Sequence, residues 1–268
     1  MQNTCRQITG LVLLVMSLVS AGLASADAGD APHVELDTAG SDVTECVILV
    51  HGLARTSSSM QALATSLFAY GFGVVNVDYP SRKYTIETLA DMAIPPGIDA
   101  CRAMGAETLH AVTHSLGGIL IRQYLAEHSI DGLGRVVMLA PPNQGSEVVD
   151  ALRDMPGYSR LNGPAGQQLG TGDDSVPLAL GPVVTDVAIV AGTRSINLFL
   201  SNYLPNPDDG KVSVASTRVE GMCAMLELDV SHPFIMQDEK AMSEVLAYLS
   251  EGRFVSTSAE YPECLFRF

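Results

Sequence analysis

Ser115 stands in "VTHSLGGILIRQYL", residues 112–125, where a β-branched run gives way to a helix-forming one. A hydroxyl at a strand-turn-helix corner is exposed at the carboxyl edge of a sheet, a position from which serine attacks a carbonyl carbon. Such a turn brings backbone against backbone two residues before and two residues after the serine, so small side chains are wanted at both places. Gly117 meets that demand and Thr113 departs from it. A serine hydroxyl is a poor nucleophile until an imidazole takes its proton, and the imidazole needs a carboxylate to orient it. A serine at this corner can equally serve as a helix cap, so its partners decide the matter.

Elimination leaves one of the six histidines as the base. His33 lies in the N-terminal lead-in and His51 closes the run "CVILVHGL". His110 is inside the run before Ser115, His114 adjoins the serine with its side chain directed away, and His128 ends a helical stretch. His232, in "LELDVSHPFIM", falls between the last strand-like run and the last helix-like one. The carboxylate is expected between Ser115 and His232. There "GTRSINLFLSNYLPNPDDGKVSV" offers Asp208 and Asp209, of which Asp209, directly before Gly210, is the better match; Asp-Gly is also ordinary turn chemistry. Asp186 begins a strand and is expected at the opposite edge of the sheet. Gly52 lets the N–H of Leu53 turn toward the top of the sheet, and the N–H of Leu116 points the same way from a helix start. Two such donors would hold the oxyanion of a tetrahedral intermediate, worth about 3 kcal/mol each.

The elements that must position these groups alternate along the chain. Apolar, β-branched runs cover 47–50, 74–77, 109–113, 135–139, 187–191 and 225–230, and helical stretches cover 57–70, 98–104, 116–128 and 235–250. Runs without polar alternation belong to strands buried on both faces. The pattern predicts an α/β fold with a mainly parallel sheet flanked by helices on both faces. Residues 141–183 break the rhythm with one helical segment at 146–153 and many Gly and Pro. This stretch is a lid, a pocket wall or an ordinary surface insertion.

Composition narrows the partners. Thirty acidic against 15 basic residues give a formal charge of −15, which argues against nucleic acid or an anionic membrane surface. At the N-terminus, Arg6, the apolar run from Ile8 and the small residues Ala24-Ser25-Ala26 read as a signal peptide spanning 1–26, cleaved near Ala26. The alternative, an uncleaved anchor, is short for a span of about 20 residues. The mature domain is then 27–268, periplasmic or secreted. Cys46, Cys101, Cys223 and Cys264 suit an oxidising compartment and allow three pairings; Cys46–Cys101 with Cys223–Cys264 keeps each pair within one half of the chain. None has metal-ligand spacing.

With "VILVHGL", "THSLGG", "APPNQGS" and "DDGKVSV" in this order, the chain resembles the α/β-hydrolase superfamily, in its group of bacterial lipase-like and esterase-like serine hydrolases. The resemblance runs from about Val47 to the final helix. It implies cleavage of carboxylic esters through an acyl-enzyme, with no cofactor and no metal. Ser115 would attack, His232 would shuttle the proton, Asp209 would orient the imidazole, and Leu53 and Leu116 would form the oxyanion hole. The substrate would be a small-molecule or lipid ester. Leu198, Phe199, Leu200, Tyr203, Leu204 and 178–180 would offer a lipid aggregate an apolar surface for transient contact, or else belong to the core. Acyl transfer or amide cleavage by the same triad, and a non-catalytic role as binding partner of an exported lipase, are the competing functions.

Overall fold

The computed structural model describes residues 32–37 and 43–266; the expected signal peptide lies outside them. Seven strands form one sheet: β1 (His33–Asp37), β2 (Glu45–Val50), β3 (Gly73–Asp78), β4 (Thr108–His114), β5 (Leu133–Leu139), β6 (Val187–Gly192) and β7 (Ala224–Leu228). Their order is β1-β3-β2-β4-β5-β6-β7. β1 runs antiparallel to β3 and every other pairing is parallel. Six strands coincide with the apolar runs. The seventh, β1, is "HVELD", whose polar His33 and Glu35 are exposed. An edge strand of five residues with polar alternation carries little of the apolar signal that marks a buried one.

Helices cover both faces. On one side, α1 (Gln61–Tyr70) and the C-terminal helix, residues 239–251, pack on Val47, Leu49, Val112, Val137, Val190 and Leu226 through Leu63, Leu67, Val245 and Tyr248. Each such side chain removed from water contributes roughly 1.5–3 kcal/mol. On the other side lie α2 (Ile86–Ala103) and α3 (Leu116–Glu127). A Cβ on Gly97 of α2 would come within 2.7 Å of Ile48 Cγ2, so the absence of a side chain there lets helix and sheet close up.

α2 begins at Ile86, well before the expected Ile98, and runs through Pro95 and Pro96. Two prolines remove two backbone donors. The helix persists because Thr85 caps its start, accepting from the Thr88 N–H, and because Ile86, Leu89, Ala90, Ala93, Ile94 and Cys101 are buried along one face. Cys101 is disulfide-bonded to Cys46 of β2, and Cys223 to Cys264.

The stretch 141–183 holds three helices where one was expected: α4 (Glu147–Leu152), α5 (Tyr158–Gln167) and α6 (Val176–Ala179). It is fastened to the body of the fold. Arg122 of α3 donates to Asn143 O and Oδ1 and to the carbonyls of Pro177 and Gly181. Burial lowers its pKa to about 10, which leaves the guanidinium protonated at neutral pH. Gly163, at φ 67°, rests on the Arg82 carbonyl, and Gln168 Oε1 accepts from the Ile86 N–H at 2.7 Å. After β6 come α7 (Leu198–Ser201) and α8 (Val214–Thr217), and α9 is the C-terminal helix Glu239–Glu251. No helix among the described residues is long and apolar enough to cross a membrane.

Candidate active site

Ser115 occupies the single residue between β4 and α3, with φ 51° and ψ −118°. This is a conformation an L-residue holds only when its surroundings fix it, at a cost of about 1–3 kcal/mol. The fixing contacts are visible. Ser115 N–H donates to Leu139 O at 2.9 Å, and its own carbonyl accepts from Gly118 N–H at 2.9 Å. A Cβ on Gly117 would lie 2.4 Å from Val50 O and 2.9 Å from His51 O. A Cβ on Gly52 would lie 2.8 Å from His114 Nδ1 and 3.1 Å from Ser115 Cβ. Two glycines on different elements therefore let β2 and the start of α3 approach closely enough to clamp the serine.

The loop after β7 brings His232 to this serine. Its Nε2 lies 3.1 Å from Ser115 Oγ, and its Nδ1 lies 2.7 Å from Asp209 Oδ2. With Nδ1–H donating to the carboxylate, Nε2 is left as the acceptor for the serine hydroxyl. Asp209 is held in turn. Its Oδ1 accepts from the N–H groups of Lys211 (3.0 Å) and Val212 (2.9 Å), and its carbonyl accepts from His232 N–H (3.0 Å). Gly192, at the end of β6, allows this packing, since a Cβ there would meet Val230 O at 2.4 Å and Asp209 Cβ at 2.8 Å. Both members of the pair are buried, Asp209 at 1% and His232 at 3% exposure. Low exposure keeps water from competing for these bonds.

The neighbouring carboxylates face elsewhere. Asp208 accepts from Ser201 Oγ (2.6 Å) and from the Gly210 N–H (2.7 Å). Asp186, at the amino end of β6, accepts from Tyr248 Oη (2.7 Å) and lies 3.5 Å from Arg135 Nε.

His114, set aside in the sequence reading, has a part in the site. Its ring packs against that of His232 with centroids 4.9 Å apart, and its Nε2 lies 3.1 Å from the His232 carbonyl. Burial pushes its pKa well below the ordinary histidine value, with His232, Arg55 and Lys211 adding to that. The ring is thus neutral, and its Nε2–H donates to the loop that carries His232. Adjacency to Ser115 was the only signal the sequence carried for it. Of the remaining histidines, His51 stacks on Tyr79 at 4.1 Å under the turn after β2. His110 accepts from the Arg135 N–H, and His128 lies 3.5 Å from Asp91 on the surface.

Leu53 follows Gly52 in the turn after β2, and Leu116 is the first residue of α3. The N–H of Leu53 has no acceptor among the described residues, and that of Leu116, opening the helix, has none within it. Among the described residues no group of three His, Cys, Asp or Glu is arranged to hold a metal ion.

Comparison with known proteins agrees with this architecture. The family model described as "Alpha/beta hydrolase family" matches residues 47–249. No curated protein matches. Among solved structures, the mature lipase BlEst2 of Bacillus licheniformis superposes with a TM-score of 0.64 at 18% identity, covering 85% of this chain and 100% of its own. A thermophilic esterase from Thermogutta terrifontis gives 0.54 at 15%, covering 83% of this chain and 94% of its own. The enol-lactonase of Burkholderia xenovorans LB400 gives 0.54 at 15%, covering 82% and 96%. Identities this low speak for the fold.

Proposed function

The chain belongs to the alpha/beta hydrolase family, and on that premise we propose that it is an exported serine hydrolase cleaving carboxylic esters through a Ser115–His232–Asp209 triad. One observation carries the reading: an unbroken path from Asp209 Oδ2 through both nitrogens of His232 to Ser115 Oγ, with steps of 2.7 and 3.1 Å, ending on the strained turn. In this mechanism His232 Nε2 takes the hydroxyl proton as Ser115 Oγ adds to the ester carbonyl. The tetrahedral oxyanion is received by the amides of Leu53 and Leu116, each worth about 3 kcal/mol. His232 returns the proton to the departing alcohol, and water then repeats the sequence to release the acid. Asp209 stays ionised and keeps the imidazole in the tautomer that accepts from serine. His114 positions the His232 loop.

Residues 141–183 serve as a fixed pocket wall in this proposal. A Cβ on Gly166 of α5 would come within 3.2 Å of Leu53 Cδ2, next to the oxyanion amide, and the Arg122 bonds tie both ends of the stretch down. The acyl chain finds apolar surface on the loop before Asp209, where Leu198 is 74% exposed and Phe199 and Tyr203 are about 40% exposed. Leu200 and Leu204 are buried and belong to the core. Export is supported by the two disulfides.

A fluorophosphonate probe is expected to label folded wild type and not Ser115→Ala. Folded wild type that takes no label would overturn the proposal in favour of a non-catalytic binding module. Rates on short and long acyl esters across the solubility limit separate lipase from esterase, because a lipase accelerates once an interface forms. Product analysis with a competing alcohol or amine separates hydrolysis from acyl transfer.

A further inference from the structure

Two cations beside the site lack an anion. Arg55 ends the turn after β2, its N–H bonded to the Gly52 carbonyl at 3.3 Å, and Gly52 itself leans on Ser115. Lys211 comes from the other side, two residues beyond Asp209. Its backbone is held by Asp209 Oδ1 on the N–H (3.0 Å) and by Ser146 Oγ on the carbonyl (2.8 Å). Both residues keep some solvent contact, yet protein surrounds them closely enough that desolvation lowers both pKa values, that of Lys211 to about 8. Arg55 is bonded to Gly52, whose backbone packs on His114 and Ser115, and Lys211 is bonded to Asp209, so the two cations branch from the two segments that flank the triad; the repulsion of Lys211 by Arg55 agrees with that placement.

Neither the guanidinium nor the ammonium makes a hydrogen bond or an ion pair with a described residue. Asp209 attracts Lys211, but its oxygens face His232 and two backbone N–H groups. The other described cations that are not exposed are satisfied, Arg135 by the Leu249 carbonyl and Asp186. Arg122 meets four oxygens, Arg153 pairs with Asp174 and Arg218 with Glu260. In a chain with twice as many acidic as basic residues, two partly buried like charges left without a counter-charge are a costly arrangement, and a ligand that supplies the missing anion removes the cost.

We infer that Arg55 and Lys211 form a receptor for an oxyanionic group carried by the substrate, so that the preferred esters bear a carboxylate or a phosphate close to the scissile carbonyl. This rests on the proposed ester hydrolysis and narrows its substrate class. The charge can sit on the acyl side, as in the monoester of a dicarboxylic acid, or on the alcohol side, as in a phosphorylated glycerol ester. The receptor is the same for both.

Two matched pairs test it: p-nitrophenyl hydrogen adipate against p-nitrophenyl heptanoate, and lysophosphatidate against the monoacylglycerol of the same acyl chain. Wild type is expected to favour the anionic member of at least one pair by roughly tenfold to a hundredfold in kcat/KM, the range of one or two charge-assisted hydrogen bonds. The pair that shows the preference places the charge on the acyl or the alcohol side. In the double variant Arg55→Gln/Lys211→Met that ratio is expected to fall toward one, with Lys211→Arg retaining it. A ratio near one for both pairs in wild type overturns the inference and leaves ester hydrolysis standing. So does a double variant that slows both members of a pair equally, which would assign the cations to the oxyanion of the reaction itself. Calorimetric binding of the same pairs to Ser115→Ala gives a readout independent of turnover: anion-selective binding upholds the receptor even if no ester is cleaved, and equal binding overturns it.

Discussion

Replacing Asp209 by asparagine changes one oxygen to an NH2 without changing size, and the surrounding hydrogen bonds dictate which one. Oδ1 accepts from the N–H groups of Lys211 and Val212 at 3.0 and 2.9 Å, while Oδ2 faces His232 Nδ1 at 2.7 Å. If the amide turns its NH2 toward the two backbone donors, both are left unpaired, at about 1–3 kcal/mol each. At the lower bound of about 2 kcal/mol in total, about three molecules in a hundred adopt that orientation. The asparagine therefore presents NH2 to His232 Nδ1, which must give up its proton to accept. The proton moves to Nε2, and the imidazole then faces Ser115 with a donor where a base is needed. The expected fall in kcat on p-nitrophenyl butyrate is roughly a hundredfold to ten-thousandfold, the upper figure being of the order seen when a triad carboxylate becomes an amide. Because shape and most hydrogen bonds are kept, the thermal midpoint should move little. Asp208→Asn serves as the control. Its oxygens accept from Ser201 Oγ and Gly210 N–H, so it should lose about 1 kcal/mol of stability and keep its turnover. A kcat for Asp209→Asn within tenfold of wild type, or a collapse confined to Asp208→Asn, would refute the reasoning.

Other perturbations read other parts of the structure. Gly117→Ala puts a methyl 2.4 Å from the Val50 carbonyl oxygen; since neither backbone can yield cheaply, it should cost at least about 1–3 kcal/mol in urea unfolding and slow fluorophosphonate labelling by shifting the serine. Replacing Cys46 and Cys101 together by alanine opens a loop of 55 residues and should cost about 4 kcal/mol on the chain-entropy account, read as a lower thermal midpoint. Lys211→Met should stabilise the protein at pH 7. Desolvation, and then repulsion from Arg55, lower the folded-state pKa of Lys211 to about 8 from 10.5, so below that value the folded state holds an unfavourable charge that the unfolded chain tolerates. Between about 8 and 10.5 the unfolded state binds the extra proton, wild-type stability from this residue rises with pH, and the advantage of the variant should vanish above the upper limit. Urea midpoints of both proteins from pH 6 to about pH 11 check the sign.

How much of this was legible in the sequence depended on the range of the interaction. The six mutually parallel strands are visible because burial on both faces demands uninterrupted apolar runs, as in "VAIVAG" of β6. The nearness of Asp209 to His232 could be anticipated from chain order, since each follows a successive parallel strand. The extent of α2 could not. Its amino half is held by burial against β2 and β3, and local propensity registers only the two prolines. Likewise α5 contains Gly163, Pro164 and Gly166, residues that read as loop until Arg82 and Leu53 are seen packed against the glycines. His114 was invisible as a prop for the His232 loop, because the contact joins residues separated by 118 positions.

The departure at Thr113 has the same kind of explanation. Two residues before the serine a small side chain was wanted, and threonine is not small. Thr113 is fully buried and its Oγ1 has no hydrogen-bond partner among the described residues. Across from it stands Gly118, where a Cβ would come within 3.3 Å of Thr113 Oγ1 and 3.0 Å of Pro141 Cβ. The second glycine of "THSLGG" thus leaves room for the threonine, while the first, Gly117, leaves room for the β2 carbonyls. The small-residue requirement of the turn is met on the helix side alone, and the backbone of Ser115 still reaches φ 51°. A pattern that fixes glycine on both sides of the serine misses such a solution, because the steric condition concerns the volume shared between two positions and either one can supply it.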